Sequence, residues 1–147
     1  MIFKTKIGTD NEAKRTNWIE QVLLKIPEGS KILDVGAGEL KYKKFCSHLE
    51  YVSQDFCQYE GKGDGQGLQT EKWDTAQIDI VSDCCVIPEK DKSFDAIMCI
   101  EVFEHIPEPI KAIKEFYRLL KRVGVSYFNG SFLQSYTFCS LSLLFWI

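Results

Sequence analysis

Apolar and polar positions along this chain of 147 residues follow two periods, one helical and one of short buried runs. Within Asn11–Ile26, the residues Trp18, Val22, Leu23 and Ile26 recur at helical spacing and predict a helix with one apolar side. Pro27-Glu28-Gly29-Ser30 ends it. Four strands are then predicted, at Lys31–Val35, Glu50–Asp55, Ile78–Ser82 and Ser93–Ile100. A helix is expected to open near Glu39, aiming its N-terminal N–H groups at a ligand. Another is predicted over Pro109–Lys121. There Ile110, Ile113, Phe116, Tyr117, Leu119 and Leu120 form an inward stripe, while Lys111, Lys114, Glu115, Arg118 and Lys121 face water. Glu108 and Pro109 suit the first turn of that helix. Strand, helix, strand, strand, strand, helix is the order of an α/β fold. It implies a Rossmann-like, doubly wound, mostly parallel sheet with helices on both faces.

The first strand carries the candidate chemistry. Its apolar run contains one acid, Asp34, and feeds directly into Gly36-Ala37-Gly38. Glycines there let the main chain approach a nucleotide-type ligand and take dihedrals closed to other residues. The second strand ends in Asp55, about twenty residues after that turn, the spacing at which a carboxylate reaches ribose hydroxyls in doubly wound folds. A solvated loop aspartate is the plainer reading of Asp55; the glycine turn favours ribose binding. The stretch Gly61-Lys62-Gly63-Asp64-Gly65-Gln66-Gly67 lacks the Lys-Ser/Thr ending of a phosphate-cradling loop. It reads as a surface loop, with Trp73 as its anchor.

Taken in order, these pieces resemble class I S-adenosylmethionine-dependent methyltransferases of the broad group labelled type 11. The matching residues are Ile32–Gly38, Asp55, Asp83 before Ile87-Pro88, Ser93–Ile97, Glu101–Ile106 and Glu115–Lys121. A nicotinamide-dependent Rossmann enzyme would want a third glycine where this chain has Lys41. The resemblance implies S-adenosyl-L-methionine as cofactor. It places Gly36, Ala37 and Gly38 under the methionine part, Asp34 as organiser of that loop, and Asp55 on the ribose diol. Phe56 would lie against adenine, Asp83 would accept from its amino group, and Cys84 would donate a backbone N–H to its ring. Ile100 and Glu101 would close the methionine pocket. His105 stands where the family often carries a histidine, with loop orientation favoured over catalysis. The implied reaction is direct displacement at a sulfonium methyl, in which orientation supplies much of the rate. No nucleophile–base triad is visible, and no catalytic residue is assigned.

Composition bounds the partners. The net charge is −3 with both signs spread along the chain, so there is no basic footprint for nucleic acid, and a small-molecule acceptor is expected. The six cysteines (46, 57, 84, 85, 99 and 139) show no metal-ligand spacing, so no metal is expected and they read as reduced thiols of a cytoplasmic protein. Met1–Asp10 is short, mixed and charged, unlike a secretory signal.

Three segments follow: a helical segment over 1–30, a cofactor-binding core over 31–124, and an atypical apolar tail over 125–147. The leading helix suits either a lid over the cofactor or plain packing on the sheet. The tail departs from the family. Arg122-Val123-Gly124 stands where Pro-Gly-Gly is expected, and the rest is rich in Ser, Phe and Leu without clean periodicity. One reading is a frameshift between Lys121 and Gly124 that truncates the fold and removes its last strands; the gene's codons decide it. A second makes Val125–Phe128 a natural fifth strand. A third makes 132–147 a membrane segment, but it is shorter than the ~20 apolar residues a span needs and carries Gln134, serines and Thr137. Three functions are thus compared: a small-molecule methyltransferase, an inactive remnant, and a methyltransferase-like interaction protein.

Overall fold

The computed structural model describes residues 10–58, 74–130 and 133–139. The glycine-rich stretch 61–67 and Trp73 lie outside them. Helix α1 spans Asp10–Leu23 and α2 spans Pro109–Leu119. The strands are β1 (Lys31–Val35), β2 (Glu50–Asp55), β3 (Ile80–Val81), β4 (Phe94–Ile100), β5 (Leu120–Gly130) and β6 (Leu133–Cys139). They form one sheet in the order β3-β2-β1-β4-β5-β6, parallel except for the antiparallel β5–β6 pair.

The central strands are buried on both faces, which is why β1 and β4 read as near-continuous apolar runs. Successive side chains of β1 alternate between two cores. Leu33 and Val35 join Ile97, Cys99, Ala112, Phe116 and Leu119 beneath α2. Ile32 joins Ile19, Leu23, Ile26, Met98 and Ile100 beneath α1. The two helices therefore cover opposite faces, as the doubly wound expectation requires. The carboxyl end of α1 is tied down by the His48 ring, whose Nε2 lies 3.2 Å from the Leu23 carbonyl oxygen.

Four local expectations are corrected. No α-helix opens near Glu39: the chain after Gly38 runs through turns into a single 3₁₀ turn, Lys43–Phe45. Leu40 sits at φ 59°, a left-handed conformation that stops a right-handed helix from starting. The stripe of α2 is narrower than predicted. Ala112, Phe116 and Leu119 are buried, whereas Ile110 and Tyr117 are 65% and 76% exposed. Those two lie a full two turns apart on the outer flank of the helix. Leu120 and Lys121 are strand, not helix, because α2 passes straight into β5 at an extended Leu120. In α1, Ile19 is a core residue missing from the expected apolar side, and Trp18 is only half-buried.

The second reading of the tail finds support in the backbone: Val125–Phe128 lies within β5 and pairs with Ala96–Cys99. The pairing is irregular just before it. Phe94 faces Leu120 and Ala96 faces Val125, so β5 takes five steps where β4 takes two and bulges there, at the segment where the sequence leaves the family pattern. Among the described residues, no helix is long and apolar enough to cross a membrane.

Candidate functional site

Strands β1 to β4 run parallel, so their carboxyl ends share one edge of the sheet. In open α/β sheets that edge is where ligands bind. It gathers Gly36–Gly38 after β1, Asp55–Cys57 after β2, Ser82–Cys85 after β3 and Glu101–Val102 after β4.

The glycine turn is forced by its neighbours. Gly36 has φ 69° and Gly38 φ 50°. A Cβ on Gly36 would run into both γ-carbons of Val102, so β1 and the chain leaving β4 touch only because that atom is missing. The N–H groups of Gly36 and Ala37 both donate to the Gln54 carbonyl, at 2.8 and 3.0 Å, and Gly38 N–H donates to Asp55 Oδ2 at 2.9 Å. All three turn N–H groups are thus spent inside the protein. A dinucleotide would need such donors for its pyrophosphate. This turn offers a ligand a close surface instead, which agrees with the missing third glycine.

Asp55 takes a second backbone donor, Cys57 N–H, on Oδ1 at 2.8 Å. A carboxylate has about four acceptor positions. Two remain after Gly38 and Cys57 are served, the number a vicinal diol fills. Phe56, beside it, is 52% exposed.

Asp34 is buried on the α1 face, and the Tyr51 hydroxyl donates to its Oδ2 at 2.6 Å. Burial pushes its carboxyl up to about 7, the Tyr51 hydrogen bond opposes this, and the nearby Asp55 charge adds to it. Burial also raises the Tyr51 hydroxyl, helped by the Asp34 charge. In β2 the residues Tyr51, Ser53 and Asp55 fall on one face by strand alternation. Tyr51 therefore supports Asp34 from the strand that carries Asp55.

Ser82 N–H donates to the Asp55 carbonyl at 3.1 Å, and Gln54 Nε2 donates to the Ser82 carbonyl at 2.6 Å. These bonds fix β3 and the following Asp83-Cys84-Cys85 turn against β2. Gln54 Oε1 and Ser82 Oγ are buried without a hydrogen-bond partner among the described residues.

Glu101 has φ 57° and pairs with Arg15 of α1. Glu12 of the same helix pairs with Lys41 at 2.5 Å. Two ion pairs thus strap α1 across the loops of the glycine edge. Arg15 Nε is buried without a hydrogen-bond partner among the described residues. His105 is exposed at the end of a 3₁₀ turn, Phe103–His105, with its backbone N–H on the Val102 carbonyl at 2.9 Å.

Of the expected site residues, Asp34, Gly36, Ala37, Gly38, Asp55, Phe56, Asp83, Cys84 and Glu101 gather on this edge. Ile100 faces the α1 core, 8% exposed. Sequence reading missed Arg15, Tyr51, Gln54 and Val102. Strand alternation from Asp55 back to Tyr51 was the one available signal; the other three depend on which loop meets which.

Comparison with known proteins matches this geometry. A family model described as a methyltransferase domain covers residues 33–128. A mouse protein named probable tRNA methyltransferase 9B is 30% identical over 119 residues, which is 79% of this chain and 25% of that protein. The ubiquinone biosynthesis O-methyltransferase of Pseudomonas entomophila is 28% identical over 123 residues, 78% of this chain and 49% of that one. This chain therefore spans between a quarter and a half of the length of these relatives. Among solved structures, phospholethanolamine N-methyltransferase 2 of Haemonchus contortus superposes with TM-score 0.57 at 18% identity, covering 78% of this chain and 27% of its own. A SAM-dependent methyltransferase of Aquifex aeolicus superposes with TM-score 0.53 at 20% identity, covering 75% and 62%. The glycine turn, the parallel sheet and the matched span agree: this chain belongs to the methyltransferase domain family.

Proposed function

We propose that the carboxyl edge of β1–β4 seats S-adenosyl-L-methionine and that the chain transfers the methyl group to a small-molecule acceptor. The observation that carries this reading is Asp55, locked to the glycine turn through Gly38 N–H with two acceptor positions left over. A second support is the close approach of the Gly36 backbone to Val102, which any Cβ would block and which fixes the glycine turn against the chain leaving β4. Gly36, Ala37 and Gly38 lie under the methionine part and Asp34 behind it. Asp55 takes the ribose diol, Phe56 lies against adenine, and Asp83 and the Cys84 N–H serve its ring. Glu101 closes the methionine end, with Ile100 packed behind it in the α1 core. Arg15, with one guanidinium N–H buried and unpartnered among the described residues, supplies a cation there for a carboxylate.

When bound, the cofactor supplies a methyl group on positively charged sulfur, already activated for displacement. The chain's own work is orientation and exclusion of water. The cofactor-binding core is assigned to 31–124, and α1, the described part of the segment before it, packs on the sheet. The described cysteines 46, 57, 84, 85 and 99 are all free, which suits a cytoplasmic protein.

A second acceptor, tRNA, draws on the mouse relative and on the exposed Lys41, Lys43 and Lys44 beside the glycine turn. Calorimetry with S-adenosylhomocysteine tests the cofactor seat. Binding by the wild type and its loss in Asp55→Asn, which keeps an acceptor for Gly38 N–H, is the expected result. No binding by a folded sample removes the reading. Transfer of labelled methyl to hydroxylated small molecules or to tRNA then separates the two acceptors.

A further inference from the structure

We propose that the Asp83-Cys84-Cys85 turn binds a thiophilic divalent cation of the zinc–cadmium class, and that this cation and the adenine end of the cofactor exclude each other. A carboxylate oxygen and two sulfurs, one from each residue, all lie within 4.8 Å of one another. Adjacent cysteines diverge on a strand, where successive side chains point to opposite faces. Here a closed turn brings them together. Val86 N–H donates to the Asp83 carbonyl at 3.0 Å, and Cys85 N–H donates to Asp83 Oδ1 at 2.8 Å. The backbone shape is therefore set before any ion arrives.

The distances suit a tetrahedral centre. With metal–sulfur bonds of about 2.3 Å, two sulfurs sit ~3.8 Å apart, so the turn need close by no more than roughly 1 Å. The Cys85 thiol donates to the Glu108 carbonyl oxygen at 3.7 Å, which holds it beside the start of α2, and solvent can supply the fourth ligand. Asp83 is exposed and both cysteines are half-buried, so an ion can enter. Two thiols and a carboxylate select a soft or borderline cation over magnesium or calcium. On binding, two S–H bonds are replaced by two S–metal bonds and two protons leave to solvent. No cysteine spacing typical of zinc sites predicts this centre; the turn does.

The cation site stands on the turn alone. The exclusion rests on the assignment of Asp83 and Cys84 to adenine. The test uses the full reduced chain and cadmium ion, followed by thiolate-to-metal absorption and by protection of individual cysteines from iodoacetamide, read by mass spectrometry. The expected result is protection of Cys84 and Cys85 but not Cys57, and loss of one bound cadmium in the Cys84→Ser/Cys85→Ser variant. Asp83→Asn should weaken binding by about tenfold or more. Unchanged stoichiometry in the double variant, or cadmium that leaves Cys84 and Cys85 unprotected in the wild type, overturns the site. Saturation with S-adenosylhomocysteine should restore alkylation of both cysteines at limiting cadmium. Protection unaffected by bound S-adenosylhomocysteine overturns the exclusion. Absence of S-adenosylhomocysteine binding overturns the cofactor reading and the exclusion with it, while the protection pattern still decides the cation site.

Discussion

The Tyr51 hydroxyl reaches diagonally across the β1–β2 pair to Asp34, whose register partner is Ser53. The acid that precedes the glycine turn is thus held from the strand that carries Asp55. Its carboxyl is buried and pushed up to about 7.

This has a signed consequence for stability. Between the ordinary carboxylate value of 3.8 and about 7, the folded chain binds more protons at Asp34 than the unfolded chain. The contribution of this group is fully present below the unfolded value and is lost as pH rises through the folded one. Asp34→Asn should therefore flatten the fall of stability across that window. It should also gain stability at pH 8, by up to about 4 kcal/mol. Urea unfolding at a series of pH values checks it; an unchanged slope speaks against the buried acid. Tyr51→Phe removes the bond that favours the charged form and should carry the sloping region to higher pH.

Gly36→Ala introduces an atom where Val102 already stands, on a backbone at φ 69°. Strain and overpacking together should cost about 2–4 kcal/mol. Val102→Ala in the same chain should recover the overpacking but not the dihedral strain. Thermal unfolding of the single and double variants reads the difference.

Arg118 holds the loop before β4 onto α2. Its guanidinium donates to Glu115 Oε2 and Oε1 at 2.8 and 2.6 Å, to Asp91 Oδ1 at 2.7 Å, and to the carbonyls of Glu89 and Ile87 at 2.8 and 3.0 Å. Those bonds use a planar, five-donor fork that lysine cannot reproduce. Arg118→Lys should cost about 1–3 kcal/mol. The loss should appear as faster hydrogen exchange at Ile87 and Lys92, whose N–H groups bond to Glu115 and to the Arg118 carbonyl.

Arg15→Ala separates strap from scaffold. The ion pair with Glu101 is partly open to solvent, so global stability should move by less than about 1 kcal/mol. Binding of S-adenosylhomocysteine should weaken about tenfold or more if Arg15 faces the methionine carboxylate. Equal affinity in wild type and variant would return α1 to a plain packing role.

The sheet was legible because its strands are buried on both faces and its turns carry glycine; β1, β2 and β4 fall within a residue of their predicted bounds. The expected α-helix after Gly38 was not legible correctly, because its sequence is compatible with a helix and only the left-handed Leu40 rules it out. On α2, Ile110 and Tyr117 match the apolar pattern, yet no element of the described residues covers them, so periodicity overstated the buried stripe. At the site, residue types and spacing pointed to Asp55 and the glycines. The partners that hold them, Tyr51 and Val102, come from tertiary contacts that no local pattern encodes.

β3, only Ile80–Val81 long, closes the sheet at one side with Val81 63% exposed. A sheet margin is a template on which a foreign strand can add, and its reach grows with the number of unpaired backbone groups. Two residues offer too few rungs for a stranger's ladder to take hold. The brevity of β3 thus acts as a guard against edge-to-edge aggregation on that flank.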